Sequence, residues 1–388
     1  MSKEALIVKK ISNNERAFLG LVKTGLFPVH GDGIIVHDYS NVDWGDVYRL
    51  AEEQSVIGLV AAGIDWLKVH DSRLKMPQEW TLQFIGQTLQ IEQRNVAMNA
   101  FVAELVEKLR KADIYTLLVK GQGVAQCYDK PLWRVSGDVD FYLNQDNYER
   151  AKSLLTPLAQ SIEEEDKNRL HLGMIIDGWV VELHGTMYTK LSKKMNRVSD
   201  EVHNDIFYHG NVRSWMNKGV QIFLPSVDND VVIIFNHFIN HFYGEGVGLR
   251  QICDWCRLLY RYHGELDLRI LESRIKKAGL MTEWRAFGVF AVEYLGMPED
   301  AMLLLNDNDN HNANLKKKAD KICRLIIETG NFGHNKNNTY RWEHTKLAGN
   351  FITAWRRFKE FARIATIFPL NAPKFYVAYL FNRVKANL

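Results

Sequence analysis

Cysteine and proline are both scarce in this chain, which carries four cysteines and eight prolines in 388 residues. The four thiols, Cys127, Cys253, Cys256 and Cys323, are too few to staple a chain of this length and fit a reducing compartment. A net charge of only +3 gives no global pull toward an anionic membrane or nucleic acid, and argues against a long nucleic-acid substrate. No run approaches the roughly 18 apolar residues of a membrane span. The opening residues, MSKEALIVKKISNNERAF, lack the apolar stretch of a secretory signal, so the default location is the cytoplasm. What is present is an ordinary globular balance, 46% hydrophobic and 24% charged, with enough length to bury a substantial core.

Three regions follow from the hydrophobic period. Residues 1–110 read as helical. Asp43 is placed to cap one helix through VYRLAEEQSVIGLVAAGIDWL, and a second long pattern runs from about Pro77 to Lys111 without an internal proline. Residues 111–225 change period. IYTLLVK ends at Gly121 as a strand ends at a turn, GVAQCY fits a short helix, and DVDFYL from Asp138 to Leu143 reads as a second strand. A helix is expected from about Asp146 to Leu158. RLHLGMII and WVVELHG are then joined by Asp177-Gly178, the strongest short-range hairpin signal. Residues 226–388 return to helix, in VDNDVVIIFNHFINHFY and LRQICDWCRLLYRYHG, with loops expected at the Asn/Asp-rich stretch from Asn306 and at GHNKNNTYRW from Gly333. The expectation is an α+β protein, with a small mixed β-sheet core flanked by N- and C-terminal helical regions.

The chemistry concentrates in the middle region. Asp138 and Asp140 are two apart on a strand, so both carboxylates face one way and repel unless a cation sits between them. Mg²⁺, or Mn²⁺, is the natural cation, since it takes carboxylate oxygens together with substrate phosphates. Ser136-Gly137 gives a small entrance before the pair. Glu182 is a charge between Val181 and Leu183, and burying it unpaired would be costly. If its strand lies beside that of Asp138, the three acids form a site for two metals, which clamp the attacking and leaving oxygens of an in-line phosphoryl transfer. Upstream, Lys120-Gly121-Gln122-Gly123 ends a strand and opens a helix, where backbone can approach phosphate and Lys120 adds a point charge. It is not a Walker motif, because the Gly-Lys-Ser/Thr ending is absent. Taken singly each feature has a plain alternative: a common Asp-x-Asp, an exposed strand glutamate, a simple turn. The order of the whole set carries the reading.

That order, in LLVKGQGVAQCYDKPLWRVSGDVDFYL (117–143) and then VVELHG (180–185), resembles the nucleotidyltransferase superfamily that includes DNA polymerase beta and kanamycin nucleotidyltransferase. More closely it is similar to the uncharacterised nucleotidyltransferase family of bacterial genomes, and LRQICDWCRLL (249–259) adds to the likeness. The resemblance implies a nucleotidyltransferase core at residues 111–225. It implies transfer of a nucleoside monophosphate from a nucleoside triphosphate such as ATP to an acceptor hydroxyl. On it Asp138, Asp140 and Glu182 hold the metals, with Glu182 also in place to activate the acceptor, and Lys120 and Gly121 neighbour the triphosphate. Two departures stand out: Gln122 follows Gly121 where the superfamily has Gly or Ser, and the third acid is Glu rather than Asp. They motivate a second reading, a catalytically silent nucleotide-binding or protein-interaction module on the same fold. A metal-dependent hydrolase is a third. The acceptor is open.

Other residues carry two readings each. Arg134, four before Asp138, is either a phosphate contact or a loop arginine. His184 shares the face of Glu182 and either orders that acid or packs as a bonded histidine. His237 and His241 lie one turn apart, as a ligand pair or an ordinary helix face. Arg250 and Asp254 are spaced as a helix-surface ion pair, or else face the cleft. Cys253 and Cys256 lack the second pair of a zinc site. The basic stretch with Trp355, Arg356, Arg357, Phe358, Lys359 and Arg363 is a membrane-surface helix, a nucleic-acid contact or a solvated face, the last being the simplest.

Overall fold

The computed structural model describes residues 11–28, 39, 41–70, 74–244, 246–310, 312–331 and 357–386. Its first third is helical. Helix α1 (Asn13–Leu26) opens with a capping box, in which the Ser12 hydroxyl accepts from the Glu15 amide and the Glu15 carboxylate accepts from the Ser12 amide. Helix α2 (Trp44–Glu53) is capped as expected by Asp43, whose carboxylate accepts from the Gly45 and Asp46 amides. It does not run on to Leu67. The chain breaks at Ser55, whose φ is 55°, and restarts as α3 (Ile57–His70). The apolar pattern continues across the break, so periodicity alone gives no sign of it. The break lets Gln54 turn inward, where it donates to the Ile326 carbonyl and accepts from the Leu249 amide.

Glycines set how closely α1 and α3 cross. A Cβ on Gly25 would lie 2.0 Å from the Leu59 carbonyl oxygen, and one on Gly63 would lie 2.1 Å from that of Leu21. Helix α4 (Gln78–Lys111) has 34 residues and so a length of about 50 Å. Its N-terminal part places Phe84 in the larger apolar core, while Met98, Val102, Leu105 and Leu109 belong to the smaller one.

Strand β1 (Leu117–Val119) leads into the short helix α5 (Gly121–Ala125), and β2 (Asp138–Tyr142) into α6 (Gln145–Leu155), capped by Asn144. Then come β3 (Ser161–Ile162), β4 (His171–Ile176), β5 (Trp179–His184), α7 (Lys193–Phe207), β6 (Val212–Asn217) and β7 (Val220–Pro225). The seven strands form one mixed sheet in the order β3-β4-β5-β2-β1-β7-β6. The β4–β5 hairpin closes at Asp177-Gly178, both left-handed (φ 50° and 77°), as that dipeptide favours. The β6–β7 hairpin turns in the same way through Lys218-Gly219 (φ 49° and 83°).

Alternation along the strands divides the interior. Leu118, Val139, Phe141, Val181 and Leu183 enter the smaller core with α6 and the C-terminal half of α4, whereas Leu117, Val119 and Tyr142 enter the larger one. Asp138 and Asp140 share the parity of Tyr142, so the candidate site opens on the face of the larger core. That face is covered by α8 (Val227–Tyr243) and α9 (Leu249–Tyr262). Beyond them α10 (Leu268–Ala278), α11 (Met281–Leu295), the single turn α12 (Asp307–Asn310) and α13 (Ala313–Thr329) continue the helical layer. The Asn/Asp-rich loop thus contains a helical turn, and Asn312 caps the helix after it. GHNKNNTYRW, Trp355 and Arg356 lie outside the described residues. In the basic C-terminal stretch, residues 357–365 are helical and a last helix spans Asn371–Ala386. Phe361, Phe368 and Phe375 are buried against α8, where each ring lies within reach of Tyr243. No helix among the described residues is long and apolar enough to cross a membrane.

Candidate active site

Backbone geometry brings the site together. The chain leaves β1 at Lys120 in an unusual conformation (φ 56°, ψ −148°) and passes through left-handed Gly121 (φ 39°) into α5. A Cβ at Gly121 would sit 3.4 Å from the Asp138 carbonyl oxygen, so a small residue suits this crossing. Strand β2 pairs antiparallel with β1, opposing Asp140 to Val119, and parallel with β5, opposing Asp140 to Glu182. The register therefore sets Lys120, Asp138, Asp140 and Glu182 around one point. Asp138, Asp140 and Glu182 each offer an oxygen within 4.8 Å of the others, a donor set that suits Mg²⁺ or Mn²⁺.

The charges are balanced by near neighbours. Lys120 Nζ lies 2.5 Å from Asp140 Oδ1, and His184 Nε2 lies 2.8 Å from the same oxygen. Glu182 Oε2 is 3.2 Å from His171 Nε2 and 3.3 Å from His184 Nε2. Repulsion from Asp140, reinforced by burial, raises the Asp138 carboxyl above the usual range despite the nearby Lys120 ammonium. Burial would also raise Glu182, but hydrogen bonds from His171 and His184, with the field of Lys120, hold it well below the ordinary glutamate value. Lys120 is pulled down by burial, and the three acids outweigh that and keep it charged. His184 is pushed down by burial and by Lys120, yet its bonds to Asp140 and Glu182 leave it raised.

A second tier orders the wall. Arg134 donates through Nε and Nη2 to both oxygens of Asp254, at 2.7 and 2.6 Å, and through Nη1 to the Ser136 hydroxyl. The Tyr128 hydroxyl donates to the same Asp254 carboxylate. Arg250 donates to the Val135 carbonyl at 3.1 Å. Arg250 and Asp254 are accordingly not a helix-surface pair. Asp254 is buried and bonded to Arg134 and Tyr128, and both Arg250 and Asp254 line the cleft. This fork holds the 134–137 segment that leads into Asp138.

The cleft is a cavity of about 710 Å³ whose walls include Lys120, Gly121, Arg134, Gly137, Asp138, Asp140, Glu182 and Arg250. That volume is in the range of small-molecule sites. Gly137 faces open space. Gln122 and Gly123 do not reach the cavity: the buried Gln122 amide donates to Asn95, and Gly123 packs against Leu224 and Leu118. Ser136 is buried under Arg134. On α8, His237 and His241 line the opposite wall with rings 4.5 Å apart. Burial drives both imidazoles down, His241 to about 4, so both are neutral near pH 7. The buried, free thiols of Cys253 and Cys256 are pushed up by desolvation, which leaves them unreactive.

His171 was not among the residues expected from the sequence. The only available signal was indirect: counting the hairpin register outward from Asp177-Gly178 sets His171 opposite His184.

A family model described as an uncharacterised nucleotidyltransferase matches residues 40–296. No curated protein matches the chain, and neither does any solved structure. The match spans well over half of the chain, which therefore belongs to that nucleotidyltransferase family.

Proposed function

We propose that this member of the nucleotidyltransferase family moves a nucleoside monophosphate from a nucleoside triphosphate to an acceptor hydroxyl, with Mg²⁺ or Mn²⁺ held by Asp138, Asp140 and Glu182. The observation that carries this reading is the convergence of the three carboxylates beside Lys120 in one cavity. The bound metal would neutralise charge that develops on the phosphoryl oxygens. Asp138 and Asp140 would present oxygens from one strand face. Glu182, kept strongly ionised by its two histidines, suits a ligand better than a proton acceptor. Lys120, which bonds to Asp140, is near enough to turn toward a phosphate. Gly121 lets backbone approach the triphosphate. Arg134 supports the entrance through Asp254 and Ser136, and Gly137 leaves room at it. The reaction proceeds in the cytoplasm on this reading.

The test is calorimetric titration of the four nucleoside triphosphates with Mg²⁺ into wild type and Asp138→Asn/Asp140→Asn protein, followed by measurement of pyrophosphate release. Metal-dependent binding of one triphosphate, absent in the double variant, is expected. Binding without any pyrophosphate release in the presence of candidate hydroxyl acceptors would favour a silent nucleotide-binding module, and release of phosphate with no labelled acceptor would favour a hydrolase.

A further inference from the structure

We propose that His171, Glu182 and His184 form a nitrogen-rich metal position that takes an imidazole-accepting divalent ion, Zn²⁺ above all, next to the carboxylate position and distinct from it. It shares Glu182 with the reading above but does not depend on nucleotide transfer.

The hairpin register sets His171 directly opposite His184 on β4 and β5, and their rings stand 4.8 Å apart. Both Nε2 atoms lie close to one oxygen, Glu182 Oε2, at 3.2 and 3.3 Å. A tetrahedral ion with bonds of about 2.0–2.2 Å sets its donors roughly 3.3–3.6 Å apart, so these two edges are close to those of a zinc site. All three donor atoms lie within 4.8 Å of one another. Asp140 Oδ1, 2.8 Å from His184 Nε2, is paired with Lys120 Nζ, so water would complete a tetrahedral set.

His184 Nε2 faces oxygens of two different carboxylates, and a single N–H aligns well with only one. A cation among the donors would engage both imidazoles and Glu182 together. Two nitrogens in the set select against Mg²⁺, which prefers oxygen, and toward Zn²⁺ or another borderline ion. Access is open, because the His171 and Glu182 side chains are 25% and 24% exposed on the cavity wall. The position lies on the β4 side of the carboxylates, with Lys120 bordering it across Asp140 Oδ1.

The full chain, stripped with a chelator, would be titrated with ZnCl₂ and its metal content measured after gel filtration. Wild type is expected to retain one zinc. His171→Ala and His171→Gln are expected to weaken binding at least about a hundredfold, while Asp138→Asn keeps it. In unaltered protein the bound zinc is also expected to protect His171 from acylation by diethyl pyrocarbonate, which tests the site without a variant. Failure of wild type to hold zinc, equal binding in folded His171 variants, or unprotected His171 would each overturn the proposal. Mg²⁺–triphosphate binding, measured on the same samples, separates the two readings. Zinc bound without triphosphate binding removes the proposed function and leaves this site, and the opposite result removes this site alone.

Discussion

Lys120 and Glu182 approach Asp140 from opposite neighbours in the sheet, the lysine at the end of β1 and the glutamate in register on β5. In the free protein Lys120 neutralises an acid that a metal would otherwise occupy. Lys120→Met removes that cation and, on the proposed function, a contact to phosphate. Triphosphate affinity is expected to fall by roughly tenfold to a hundredfold, the usual worth of a hydrogen bond to a charged group. Titration calorimetry with Mg²⁺ reads this directly. An unchanged affinity would mean that Lys120 serves the acids alone.

Arg134 and Asp254 are a buried pair, with both side chains 6% exposed. Arg134→Ala removes the bidentate partner and leaves the Tyr128 hydroxyl donating to the carboxylate, and should cost about 3–5 kcal/mol in urea unfolding. Arg134→Lys cannot reproduce the fork, so an intermediate loss is expected. Replacing both residues by apolar ones of similar volume should cost less than Arg134→Ala alone. If the double change proved the more damaging, the pair itself would be a net source of stability.

Helix propensity and packing make opposite forecasts at Gly63. Propensity alone favours alanine there by about 1 kcal/mol. The crossing with α1 leaves no space, because the new Cβ would meet the Leu21 carbonyl oxygen at 2.1 Å. Gly63→Ala is expected to destabilise by about 1–3 kcal/mol, the ordinary range for overpacking. Thermal or urea unfolding decides it, and a stabilised variant would show that α1 and α3 separate easily.

His241 links stability to pH. Burial lowers its folded pKa to about 4 from an ordinary value of 6.5. Between those values the unfolded chain binds more protons than the folded one, so stability falls as pH drops from about 6.5 to about 4. For this residue alone the loss between pH 7 and pH 5 is on the order of 2 kcal/mol. His241→Asn should flatten that part of the profile, measured as unfolding free energy at the two pH values. An unchanged slope would assign the acid sensitivity elsewhere.

Much of the site could be read in the chain because it depends on local chemistry. Asp-x-Asp on a strand fixes a common face and Asp177-Gly178 fixes the β4–β5 hairpin, while the parallel β2–β5 pairing that sets Glu182 opposite Asp140 joins strands about 40 positions apart. Other features depend on distant partners. The break at Ser55 is sustained by Gln54 reaching Ile326 and Leu249, far along the chain. Arg134 and Asp254 are separated by 120 positions, and helical spacing alone paired Asp254 with Arg250 instead. Gln122, next to Gly121 in the turn after β1, points away from the cleft because Asn95 on α4 accepts its amide hydrogen. The Lys218-Gly219 hairpin was hidden by a lysine in a left-handed position that Asn or Asp fills more often.

Helix α4 has a consequence for anyone who would shorten the protein. It starts among the side chains around Phe84 and ends under the sheet at Leu109, so one rigid rod belongs to two interiors. Cutting at residue 111 would strip Met98, Val102, Leu105 and Leu109 from beneath the strands and bare an oily floor under the seven-stranded sheet. The smallest piece that keeps its interior closed must begin before the rod does.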